Sequence, residues 1–225
     1  MGKTKQKKKV FCSLLLLLVV WITAWAQNES IFLKTKYERG LFETVAILDT
    51  GDSSEIMSGI ILDADAHFRR LNIDSLFWLF KGLSGKEEGR NLIGIDCVDV
   101  EYDQNKEIFD FFINIHVGIM KKQFRNVRIT VLMKTTERDS NGYPVVTVEL
   151  GNPNFFLKSA KLTLNFHQVM NKRQLVIQSS VRFGRFFNLF ISTSNYCAIA
   201  EWRIETVLKN LKAETERRQN ISDRR

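Results

Sequence analysis

The stretch Ile108–Val117, IFDFFINIHV, decides the fold. Phe109, Phe111, Ile113, Ile115 and Val117 fall on one side of an extended chain, and Asp110, Asn114 and His116 fall on the other. A period of two marks a strand with one buried face and one wet face. That one-sidedness is the habit of antiparallel sheet.

The same alternation recurs downstream. In RNVRITVLMK (125–134), Val127, Ile129, Val131 and Met133 oppose Asn126, Arg128, Thr130 and Lys134. In AKLTLNFH (160–167), Ala160, Leu162, Leu164 and Phe166 oppose Lys161, Thr163, Asn165 and His167. In LVIQSSVRF (175–183), Leu175, Ile177, Val181 and Phe183 oppose Gln178, Ser180 and Arg182. With LIGIDCVDVEY (92–102) and PVVTVEL (144–150), six strands follow one another. YDQNKE, ERDSNGYP and VMNKRQ read as hairpin connections, the second carrying Asn141-Gly142.

Upstream, IFLKTKY (31–37) and LFETVAIL (41–48) read as strands, the second with a helical alternative. EIMSGIIL (55–62) reads as a further strand. Residues 63–85 change character: Ala64, Phe68, Leu71, Leu76, Leu79 and Phe80 recur at near-helical spacing, and Asp74 or Ser75 can cap a second short helix ending near Gly82. At the other end, Ser192, Thr193, Ser194 and Asn195 offer N-caps. A stripe of Cys197, Ala200, Ile204, Val207, Leu208 and Leu211 then predicts a long amphipathic helix. The fold class is α+β: a curved antiparallel sheet of six to seven strands, two short helices after the first strand, and a long C-terminal helix.

That element order resembles the helix-grip, or START-like, fold over about residues 54–213. The resemblance implies a sheet wrapped around the last helix, often with an apolar cavity between them. It makes Phe111, Ile113, Ile129, Val131, Leu164, Phe166, Ile177, Ile204 and Leu208 the candidate ligand wall. Residues 27–53 become an N-terminal extension outside this core, and 214–225 a charged C-terminal tail. Such a fold hosts carriers, receptors, cyclases and structural proteins, so it assigns no function alone.

A second stretch, AILDTGDSSEIM (46–57), resembles the active-site strand of retropepsin-like aspartic peptidases. Asp49 would be the catalytic carboxylate, with Thr50 and Gly51 shaping its loop, and NLIGID (91–96) resembles the element packed beside it. With one Asp-Thr-Gly, the dyad that shares a proton would need a homodimer. The local alternative is a turn between the segments 41–48 and 55–62, because Asp, Thr and Gly all favour turns.

The start of the chain speaks to location. Lys3, Lys5, Lys7, Lys8 and Lys9 precede the apolar run Val10–Ile22 and an Ala24-Trp25-Ala26 cleavage pattern. This predicts a signal peptide over 1–26, then a single exported domain over 27–225, periplasmic or extracellular. The Ala26-Gln27 junction resembles exported proteins of Bacteroidetes-type bacteria. Five of the charges behind the net +8 are those lysines, so little basic excess remains. Nucleic-acid binding is therefore not expected, nor a membrane span after cleavage. Cys97 and Cys197 would remain, able to pair in an oxidising compartment or to stay as buried thiols. His67, His116 and His167 show no metal-ligand spacing, and no phosphate loop or serine elbow is present, so neither a cofactor nor a metal is expected. Asn28-Glu29-Ser30 and Asn220-Ile221-Ser222 fit the N-glycosylation pattern, which matters only in a eukaryotic secretory pathway.

The leading expectation is an exported, non-catalytic envelope protein that binds an apolar small molecule or lipid. The alternatives are the homodimeric peptidase using Asp49 and a module that docks a protein partner.

Overall fold

The structure is a computed structural model, and it describes residues 31–82, 93–117, 122–170, 172–184 and 192–223. The signal-peptide reading, the Asn28 pattern and residues 91–92 of the NLIGID element lie outside the described residues.

Eight strands form one open antiparallel sheet in the order β1-β2-β8-β7-β6-β5-β4-β3. They are β1 (Ile31–Glu38), β2 (Leu41–Asp49), β3 (Ile93–Asp103), β4 (Ile108–Val117), β5 (Lys122–Thr136), β6 (Val145–Leu150), β7 (Leu157–Val169) and β8 (Lys172–Phe183). The six strands expected between 92 and 183 are β3–β8, a meander in which each strand pairs with the next. The sheet is two strands wider than that meander because 31–49 is not an extension outside the core. It folds as a hairpin whose β2 pairs along β8, from Leu41↔Arg182 to Asp49↔Gln174. The hairpin turn is Arg39-Gly40, both at positive φ (49° and 82°). A two-residue turn of that hand matches the twist of its strands.

Register explains why one face is dry. Ala46 sits opposite Ile177, Ile177 opposite Leu164, Leu164 opposite Val146, Val131 opposite Phe109, and Phe109 opposite Tyr102. Each step across the sheet keeps the apolar residues on one side, since a slip by one residue would move a whole strand's set outward.

Two helices cover that side. Helix α1 (Ser54–Arg69) corrects the expected strand at 55–62. Gly51, at φ +50°, turns the chain out of β2 through a short 3-10 turn at Gly51–Ser53. From there Met57, Ile60, Ile61 and Phe68 are buried along one helical face, a spacing of three, four and seven to eight that an extended strand would split between faces. The expected second helix is smaller than anticipated: a 3-10 turn at Ile73–Leu76, whose N-cap is Asn72 and not Asp74 or Ser75. The connection from β2 to β3 carries α1 over the apolar face to the far edge of the sheet.

Helix α2 (Thr193–Ser222) is the long amphipathic helix expected. Ala200, Ile204, Leu208 and Leu211 are buried, while Cys197 and Val207 are partly buried against the core. The helix runs on through most of the segment 214–225 expected as a charged tail. Thr215 is buried, and Arg218 reaches back to Asp63 of α1 (Nη1 to Oδ2, 2.6 Å). The architecture is helix-grip-like.

Candidate functional site

Between the sheet and both helices lies a cavity of about 130 Å³. Helix α1 contributes Ile60, Ile61, Ala64, Asp65 and Phe68, and the segment after it contributes Trp78 and Leu79. The sheet supplies Met133 from β5, Val146 and Val148 from β6, Leu162 and Leu164 from β7, and Ile177 from β8. Helix α2 closes it with Ile204, Val207, Leu208 and Leu211. The wall is carbon almost throughout.

Among the described residues Asp65 is the one charged lining residue, and its carboxylate is committed elsewhere. Oδ2 accepts from Arg69 Nε at 2.9 Å and Oδ1 from the Thr135 hydroxyl at 3.0 Å. Arg69 in turn spends its remaining N–H groups. Nη1 donates to the Tyr102 hydroxyl (2.8 Å) and Glu107 Oε1 (3.0 Å), and Nη2 donates to the Met133 carbonyl and the Thr135 hydroxyl (both 3.3 Å). Burial disfavours the guanidinium charge, but the hydrogen bond and charge of Asp65 more than reverse this, so the Arg69 pKa is raised. This network ties the end of α1 to β3, to the turn between β3 and β4, and to β5, and keeps the charge out of the cavity.

Four of the nine candidate wall residues line the cavity: Leu164, Ile177, Ile204 and Leu208. The other five, Phe111, Ile113, Ile129, Val131 and Phe166, are buried in filled core. Phe166 packs on the Tyr143 ring with centroids 5.0 Å apart, and Phe111 stacks with Phe109 at 6.2 Å. The α1 contribution was missed because 55–62 was given a period of two. Its signal was present in Ile60, Ile61, Ala64 and Phe68, which share one helical face.

The Asp-Thr-Gly stretch does local work. Asp49 accepts an N–H from Gly51 (3.2 Å) and pairs with Lys172 Nζ at 3.2 Å. Thr50 is buried. Both its N–H (3.0 Å) and its hydroxyl (2.9 Å) donate to the Arg173 carbonyl, fastening the strand-to-helix corner to β8. The corner leads into α1 and not into a second strand.

Cys197 is a free thiol, so the Cys97–Cys197 bridge is not formed. Cys97 is fully buried on β3. His167 is exposed on the wet face as expected, and His67 is half-buried. Among the described residues, no group of three or more His, Cys, Asp or Glu side chains could hold a metal, and no helix is long and apolar enough to cross a membrane.

No protein-family model matches the chain, and no curated protein matches it. Among solved structures it is similar to a di-domain ARO/CYC protein, BexL, from the BE-7585A biosynthetic pathway, at 7% identity and a TM-score of 0.31. That match covers 84% of this chain and 48% of the other, so the chain spans about half of that protein's length.

Proposed function

We propose that this protein binds an apolar small molecule in the cavity between sheet and α2. The observation that carries the reading is the wall itself. A partly open concavity with carbon lining, built by α1, α2 and four strands, shares the apolar wall of small-molecule sites. Export by the segment before Gln27 would place this activity in the periplasm or outside the cell, and lipids of the envelope are the larger members of the same ligand class. Cell fractionation with and without residues 1–26 tests the location: the exported form should leave the cytoplasm and lose those residues.

Binding is tested by titrating ¹³C-methyl-labelled protein with a panel of small apolar compounds. The methyl signals of Leu164, Ile177, Ile204 and Leu208 should move, while those of Ile113 and Ile129 stay. Uniform shifts across both groups, or none for any compound, would remove the cavity as the binding site. A catalytic role for Asp49 gains no support from its surroundings, since its carboxylate is held by Gly51 and Lys172.

A further inference from the structure

The cavity's size and polarity together define a narrower ligand class than apolar molecules in general. Its volume is about 130 Å³. An engineered cavity of about 150 Å³ lined by Leu, Ile and Phe stays dry and takes one benzene. A full acyl chain is far larger than a ring of that size.

Polarity sets the second limit. The carboxylate oxygens of Asp65 turn toward Arg69 and Thr135, leaving carbon at the wall. The backbone offers nothing either, because the lining residues lie mostly in helices and strands whose N–H and C=O groups are paired. A hydroxyl carried into the space would lose its water and find no partner.

We propose that this cavity selects a hydrocarbon group of single-ring size and discriminates against an isostere that carries a hydroxyl into it. The inference rests on the reading of the cavity as the binding site. An apolar pocket rejects an added hydroxyl by up to about 100-fold, so toluene should bind about 10- to 100-fold more tightly than phenol.

The test is a methyl-resolved NMR titration of the protein with benzene, toluene, phenol and dodecanoate. Benzene and toluene should shift Leu164, Ile177, Ile204 and Leu208. Phenol should shift the same signals with at least about a tenfold higher Kd, and dodecanoate should not compete. Val148→Thr supplies the converse. It swaps one β-branched residue for another on β6 and places a hydroxyl in the wall, so the toluene-to-phenol ratio should fall at least severalfold. Both affinities are read on the same variant, so any loss of stability affects both ligands alike. Phenol binding as tightly as toluene in the unaltered protein, or dodecanoate displacing toluene, would overturn the selectivity while leaving the cavity as a binding site. Absence of response to every compound would overturn both.

Discussion

Asp49 and Asp65 separate what a sequence displays from what a fold uses. Asp49 sits in a conspicuous motif, yet it makes one half-exposed ion pair with Lys172, whose side chain is 71% exposed. Asp49→Asn should therefore cost less than about 1 kcal/mol in urea unfolding and leave ligand binding unchanged. Asp65 and Arg69 sit in an undistinguished helix, yet Arg69 makes five hydrogen bonds, one within α1 and the others to β3, the β3–β4 turn and β5. Arg69→Met should cost about 2–3 kcal/mol, because it strands the partly buried Asp65 and Thr135. No spacing rule joins Arg69 to Tyr102, Glu107 and Thr135; only the crossover of α1 does.

A third residue carries pH dependence. Burial raises the Glu201 carboxyl above its usual range, and hydrogen bonds with Thr35 only partly offset this. The folded state then holds that proton more tightly than the unfolded chain. This contribution is present in acid and is lost as pH rises through the folded pKa. Glu201→Gln should be more stable relative to the parent at neutral pH, with the gap closing in acid. A gap that widens in acid would contradict the burial account.

At the scale of elements, alternation was a faithful guide wherever one face is wet. β4, β5, β7 and β8 have such faces, and their inward residues were legible directly. α1 was not, because Ile56, Met57, Ile60, Ile61 and Leu62 form so dense an apolar run that period alone does not separate helix from strand. The end of α2 was misread for the opposite reason. Its composition is that of a solvated tail, and only the partners on α1 show that it docks. Arg218, held in place by Glu214 of the same helix, pairs with Asp63 of α1. Ser53 donates to Gln219 at 3.1 Å. Truncation after Ala213 removes these clamps. Amide exchange in the first turns of α1 should accelerate at least about tenfold, or about 1.4 kcal/mol of local stability, with β4 and β5 unaffected. Unchanged exchange in α1 would mean that residues 214–222 only rest on the surface.

For the whole molecule, the sheet is a wall that its two helices do not completely fill. Toward β3 and β4 the apolar face is closed by aromatic packing, as in the Tyr102–Phe109 stack with centroids 4.3 Å apart. Toward β6, β7 and β8 the facing residues are mostly Val, Leu and Ile, and space remains between them and α1 and α2. The sequence pattern marked both regions as inward-facing but could not distinguish filled from unfilled, because that depends on how far the helices stand off the sheet. Filling that space is favourable. Val146→Ile should raise stability by about 0.8 kcal/mol for the added methylene and weaken toluene binding; a destabilised variant would indicate a region already packed. The most direct measurement is a crystal structure of the protein under xenon pressure. The account predicts one xenon site bounded by Ile60, Leu164, Ile177 and Leu208, with no rearrangement of Arg69 and Asp65. Side chains collapsed into that space, with no xenon bound, would contradict it.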